Sequence, residues 1–389
     1  MTTPRLPTLT GMRFVAALLV FAFHSSLENL FRDPGANRLY VQVFDKAGWM
    51  GVSFFFVLSG FVLTWSARPD DTPRRFWRRR AAKIYPNHAV MWVVALALVL
   101  GTGAAVTAPT AVGNLLLVHA WVPRIQTFAS LNDVSWSLAG EAFFYLCFPL
   151  LLAGLLRIRP SRLWYWAGGT VAAIALTPVV AGLLLPDTPH LPWESTSVWH
   201  FWFVYVLPPV RMLEFLLGML MARIVLTGQW IRLGLAPAVG VLAVAYAVAL
   251  YLPFYLHSLI AVTVGPLALL VAAAATADAR TLASPLRGRL WIWLGEVSFA
   301  FYLVHRLLLL YGHQAIGTGS TWSTPAAIGL ILAAFAVSLA LAWLLHVAVE
   351  QPVMRHWSRP RRRPPTDGST VDLPHPRPAP VATAEGQPA

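Results

Sequence analysis

Arg13 and His24 lie eleven residues apart on one apolar stretch, and they are the first residues of this chain able to do chemistry. On an α-helix that spacing is close to three turns, so both share a face, about 16 Å apart along the axis. Ionisable groups inside an apolar span are costly and usually functional. Glu141, Arg211, Glu214 and His305 also fall in apolar stretches. If successive spans alternate in direction, His24, Glu141 and His305 reach similar depth. Two imidazoles and a carboxylate there could build one polar cavity in the outer half of the membrane, a set suited to proton transfer. Plainer roles compete: a snorkelling anchor for Arg13, a helix-to-helix hydrogen bond for His24, mutual pairing for Arg211 and Glu214. The basic run over 67–83, with Arg79, Arg80 and Lys83, is either a topology anchor or a site for a phosphate-bearing ligand. Guanidinium groups fork onto phosphate oxygens, and coenzyme A carries such phosphates.

These residues need helices to hold them. The 389 residues are 57% hydrophobic and only 12% charged, against about 25% charged in soluble domains. Long continuous apolar runs, rather than short alternating ones, select a helix bundle over a β-barrel. The sequence therefore predicts an all-α, multi-pass protein of the cell membrane with about ten transmembrane helices: 12–31, 48–66, 84–102, 137–157, 163–185, 202–226, 234–252, 255–277, 291–312 and 325–349. The first reads as a retained span, not a cleaved signal peptide. The apolar stretch 111–122 is too short to cross and reads as interfacial or re-entrant. With the N-terminus in the cytoplasm, 22 of the 29 Lys and Arg residues fall on the inner side and four on the outer. That asymmetry places both termini inside. It also accounts for the net charge of +13 without a nucleic-acid partner. The outer loop 186–201 has no Lys or Arg. Residues 353–389 form a basic, Pro-rich stretch expected to be a disordered cytoplasmic tail beyond a membrane domain over 1–352. Cys147 is the only cysteine, which excludes an intrachain disulfide. No cluster has metal-ligand spacing, and no bound cofactor is expected.

Seven segments, in order, resemble the motifs of the acyltransferase family 3 membrane proteins. LTGMRFVAALLVFAFH (9–24) is similar to the family's opening Arg, ten residues, His. GVSFFFVLSGF (51–61), RRRAAKIYP (78–86), WSLAGEAFFYLCFP (136–149), RMLEFLLGMLMA (211–222), GEVSFAFYLVH (295–305) and VEQP (349–352) follow. The resemblance implies an acyl-CoA-dependent O-acyltransferase, with acetyl-CoA the expected co-substrate. Its acceptor would be the hydroxyl of a surface glycan, a lipid-linked sugar or a macrolide. It implies His24 as catalytic base, Arg13 as its motif partner and Glu141 as a second essential polar group. Arg79, Arg80 and Lys83 would bind acyl-CoA, and Trp136, Ser137, Arg211 and His305 would line an acceptor or oxyanion pocket.

Two positions depart from the family pattern. Lys83 replaces an arginine, giving a point charge without a fork, and Ser53 stands where many members carry an acidic residue. In the expected mechanism His24, whose ordinary pKa of about 6.5 leaves neutral imidazole near pH 7, takes the proton of the attacking hydroxyl. Glu141 would orient an imidazole or share its proton. The competing reading is a proton-coupled transporter or flippase using the same intramembrane His, Glu and Arg. Against it stand the ordered motifs and the lack of repeated, broken half-helices.

Overall fold

In the computed structural model, which describes residues 5–68, 71–253 and 255–357, the chain is helical almost throughout. The helices are α1 (Pro7–Ser26), α2 (Pro34–Phe44), α3 (Ala47–Trp65), α4 (Pro73–Gly101), α5 (Ala108–Leu115), α6 (Trp136–Leu156), α7 (Leu163–Leu184), α8 (Pro208–Leu226), α9 (Leu235–Tyr251), α10 (Ala261–Ala279), α11 (Arg289–Gly317), α12 (Thr324–Leu345) and α13 (Gln351–Trp357). Among the described residues nine helical segments are long and apolar enough to cross a membrane, and α9 is an apolar tenth of 17 residues. The last described helix runs to Trp357, five residues past the expected domain end; the rest of the expected tail lies outside the described residues.

Local chemistry sets several boundaries. Proline occupies the first turn of α1, α2, α4 and α8, where its missing N–H costs nothing and its φ suits a helix. The basic run expected as a loop is largely helix, because Thr72 caps the amide of Arg75 at 3.4 Å and Pro73 follows it. Arginine is also a good helix former. Arg79, Arg80 and Lys83 therefore stand on the leading turns of α4, aimed from a rigid rod.

The expected re-entrant stretch is α5 followed by a single 3₁₀ turn, His119–Trp121. Buried polar bonds hold it: His88 Nε2 donates to the Asn114 carbonyl (3.0 Å), Asn114 Nδ2 donates to the Ser130 carbonyl (2.9 Å), and the His119 ring bonds the Ser135 hydroxyl (3.2 Å). His88 and His119 are thus structural ties. The outer loop expected at 186–201 contains a small antiparallel hairpin, β1 (His190–Leu191) and β2 (Glu194–Ser197).

Inside the bundle α3 and α8 cross at backbone contact. A Cβ on Gly60 would overlap the Phe215 carbonyl, and one on Gly218 would overlap the Val57 carbonyl. Small residues let helices approach in lipid, where no hydrophobic drive pulls them together. Gly295 likewise lets α11 meet the Thr10 carbonyl of α1. These contacts bring α1, α3, α6, α8 and α11 around a common interior.

Arg211, expected in an acceptor or oxyanion pocket, is instead part of this packing. It is only 1% exposed, its Nη1 lies 3.1 Å from Glu214 Oε1, and Ser53 Oγ donates to the same oxygen at 3.1 Å. The guanidinium sits 4.5 Å from the Tyr205 ring centroid and 5.1 Å from that of Phe56. Three residues apart on α8, the two charges are helix neighbours, and both also reach Ser53, whose hydroxyl oxygen accepts from Arg211 Nη2 at 3.4 Å. Ser53, at the departing family position, joins this pair rather than a cavity. Glu214→Gln leaves the Arg211 charge buried without a counter-charge, and is expected to cost about 3–5 kcal/mol. The readout is the thermal unfolding midpoint in detergent; a midpoint equal to the parent's would mean that the rings and Ser53 suffice.

Candidate active site

Two cavities lie along α1. The first, of about 150 Å³, adjoins the early turns of the helix and is lined by Arg13, Ser59 of α3, Arg80 and Lys83 of α4, and Ser137, Glu141 and Tyr145 of α6. The second, of about 550 Å³, adjoins the last turn of α1 and is lined by His24, Lys46, Trp49, Asp133, Trp136, Tyr205, Tyr255 and Arg306, with Trp193 of the hairpin turn at one side. Val52 and Tyr302 line both. The eleven-residue spacing of Arg13 and His24 thus places the two residues in adjoining cavities rather than in one.

The first cavity is apolar over most of its wall, and its charged groups are three basic residues and Glu141. Lys83 is paired with Glu350, whose second carboxylate oxygen accepts from Asn87 Nδ2 at 2.8 Å. Arg80 lies 5.8 Å from the Phe76 ring centroid and 5.9 Å from that of Tyr145, and its Nε is buried with no hydrogen-bond partner. Among the described residues no carboxylate forms an ion pair with Arg13 or Arg80. Guanidinium groups without a bonded anion have the donors that a phosphate-like ligand would use. Arg79, expected beside Arg80, is committed elsewhere. It donates to Asp71 at 3.0 Å, and the guanidinium holds that carboxyl below the usual carboxylate range.

Glu141 also belongs to the first cavity. Its carboxylate accepts from Ser59 Oγ (3.2 Å) and Tyr145 OH (3.3 Å). The expected single outer cavity joining Glu141 to both histidines is therefore not what forms. Depth along a span does not say which way a side chain points, and Glu141 turns toward the basic groups of α1 and α4.

The two histidines do meet. His24 Nδ1 is 2.9 Å from His305 Nε2, and His305 Nδ1 is 3.1 Å from the Phe301 carbonyl of its own helix. A carbonyl only accepts, so His305 carries its proton on Nδ1 and its Nε2 must accept. His24 then donates from Nδ1, which puts a lone pair on its Nε2. His305 is fully buried, stacked on Phe301 with ring centroids 5.7 Å apart, and lines neither cavity. It stands behind His24, not in the acceptor or oxyanion pocket where it was expected.

Of the other expected pocket residues, Trp136 lines the second cavity and Ser137 the first. Ser137 Oγ donates to the Val134 carbonyl at 2.9 Å and bonds the Tyr302 hydroxyl at 2.8 Å. Sequence reasoning overlooked Tyr302, Asp133 and Arg306. Arg306 bridges Asp133 (2.8 Å) and Glu28 (2.9 Å), and Glu28 also holds His313 (2.9 Å). Arg306 was visible as a charge within a span, but its carboxylate partners lie far off in sequence. Tyr302 carried only its spacing of three from His305 on one helix. No group of three or more His, Cys, Asp or Glu residues able to hold a metal occurs among the described residues.

Comparison with known proteins agrees with this architecture. The profile of an acyltransferase-domain family matches residues 6–347. The acyltransferase MdmB of Streptomyces mycarofaciens is 41% identical over 373 residues, which cover 92% of this chain and 94% of that protein. The peptidoglycan O-acetyltransferase OatA of Listeria monocytogenes is 27% identical over 168 residues, 39% of this chain and 25% of the relative. The O-acetyltransferase OatA of Staphylococcus aureus is 28% identical over 187 residues, 42% of this chain and 28% of the relative. The chain thus matches only about a quarter of the length of these two O-acetyltransferases. No solved structure matches it. With its motifs in order, its helices in the expected number and a family match spanning nearly every described helix, the chain belongs to acyltransferase family 3: it is a multi-pass membrane O-acyltransferase.

Proposed function

We propose that the protein transfers an acyl group from acyl-CoA, acetyl-CoA being the expected form, to a hydroxyl of a carbohydrate or secondary-metabolite acceptor, with His24 as general base. The observation that carries this reading is the adjacency of two unlike cavities, one lined by Arg13, Arg80 and Lys83 and one lined by His24, which share Val52 and Tyr302.

The distribution of Lys and Arg favours a cytoplasmic N-terminus. The basic cavity then opens toward the cytoplasm, where acyl-CoA is made. At about 150 Å³ it suits a thin pantetheine arm and not a nucleotide. The phosphates would remain at the mouth with Arg13, Arg80 and the exposed arginines Arg74, Arg75 and Arg78 of α4. The second cavity, about 550 Å³, lies in the usual range of about 300–1,000 Å³ for small-molecule sites. Its tryptophans and tyrosines offer flat apolar faces to a sugar ring, and its charged groups offer partners to hydroxyls. A peptidoglycan unit, as the name of one relative prints, or a macrolide sugar would approach from that side.

The chemistry balances with the chain's own residues. The acceptor hydroxyl gives its proton to His24 Nε2 as its oxygen attacks the thioester carbonyl. The tetrahedral intermediate expels the CoA thiolate, breaking the C–S bond, and the imidazolium returns the proton to sulfur. His305 holds His24 in the productive tautomer by accepting from Nδ1.

His24→Ala is expected to abolish acyl transfer while the protein still inserts and folds; full activity would rule out His24 as base. Arg80→Ala with Lys83→Ala should raise the KM for acyl-CoA, whereas an unchanged KM would return this run to a topology signal. His305→Phe removes the acceptor behind His24. It should lower kcat within the about 10²–10⁴-fold range of general-base catalysis at unchanged donor KM. His305→Gln, which still offers an acceptor, should recover part of the loss; equal defects in both variants would separate His305 from tautomer control.

A further inference from the structure

Tyr302 occupies a position no other polar side chain shares. Val52 and Tyr302 alone line both cavities, and Val52 has no polar atom. A thioester reaching from the basic cavity to an acceptor beside His24 must put its carbonyl where these two residues stand. The attack turns that carbonyl oxygen into an oxyanion, which needs a donor aimed at it in a site that excludes water.

We propose that the Tyr302 phenol donates the hydrogen bond that stabilises the tetrahedral oxyanion at the aperture between the two cavities. The surrounding bonds are consistent with that duty. The Ser137 hydroxyl proton goes to the Val134 carbonyl (2.9 Å), so the phenol's proton is directed to Ser137 Oγ (2.8 Å) or to Val134 O (3.3 Å). Rotation about the phenolic C–O bond swings it to a substrate oxygen without moving the ring. The ring is fixed by its neighbours, the Phe55 centroid at 6.0 Å and that of His305 at 5.9 Å. Ser137 is the less suitable donor because its proton is committed and it lines only the first cavity, while Trp136 lines only the second.

The inference rests on the reading of His24 as base and of a thioester at the aperture, so both are tested together. Tyr302→Phe keeps the ring and removes only the hydroxyl. With the purified full chain in lipid nanodiscs, acetyl-CoA as donor, a macrolide bearing a free sugar hydroxyl as acceptor and free CoA as readout, Tyr302→Phe should lower kcat by about 10²–10³-fold. The KM for acetyl-CoA and the thermal unfolding midpoint should stay at the parent values. A parent-like kcat in Tyr302→Phe alongside an inactive His24→Ala overturns the role of Tyr302 and leaves the base assignment standing. An active His24→Ala overturns the underlying reading. A fall in the unfolding midpoint that accompanies the loss of kcat, or a loss appearing only in donor KM, also overturns the proposal by making Tyr302 a packing or binding residue.

Discussion

In the hydrocarbon of a bilayer an ionisable side chain survives only where protein or a cavity compensates it, and α1 carries two such groups on one face. Arg13 and His24 are joined by a single rigid helix, so the distance of about 16 Å between them is set by backbone geometry and not by side-chain packing. The basic cavity is organised around one end of that rod and the imidazole cavity around the other. The remaining helices supply walls and partners at those two heights. In the proposed reaction the helix is the ruler along which the thioester is laid.

Compensation also sorts the charges by purpose. Arg211 is neutralised by Glu214, Arg79 by Asp71, Lys83 by Glu350, and Arg306 by Asp133 and Glu28. Each of these pairs ties a helix to another segment of the chain or to its own next turn. Arg13 and Arg80 share their cavity with Glu141 but form no ion pair among the described residues, and His24 carries a lone pair on Nε2. Charges without a bonded counter-charge are the ones an anionic ligand can complete. Lys83 holds an intermediate place: it lines the basic cavity, yet it is paired with Glu350, which Asn87 holds in turn.

The cavities exist because the helices that bound them come close elsewhere. The glycine crossing of α3 and α8 and the approach of α11 to α1 at Gly295 draw the backbones together. Large side chains such as Phe56, Phe144 and Phe301 fill the space beside these contacts. What they leave open is two cavities that share Val52 and Tyr302 in their walls. In the proposed reaction, water at that shared wall would compete with the acceptor for the thioester.

Much of this protein was legible in the chain itself. Apolar run length depends only on local composition, so the nine long apolar segments, the shorter tenth helix at 235–251, their order and the short element near 111–122 could be read directly. Helical spacing is equally local, and it put Arg13 with His24 and Arg211 with Glu214. The motif order identified the family. What the chain alone left open was every relation between helices. Depth along a span suggested that Glu141 would join the histidines, but side-chain direction sent it to Arg13 and Arg80. Depth also admitted His305, and only packing put it behind His24 rather than in the pocket. Arg79, Arg80 and Lys83 look alike in one basic run; the carboxylates of Asp71 and Glu350, the latter brought in from the far end of the chain, made them different. Composition and periodicity are properties of neighbours in sequence, whereas the compensation of a charge is a property of neighbours in space.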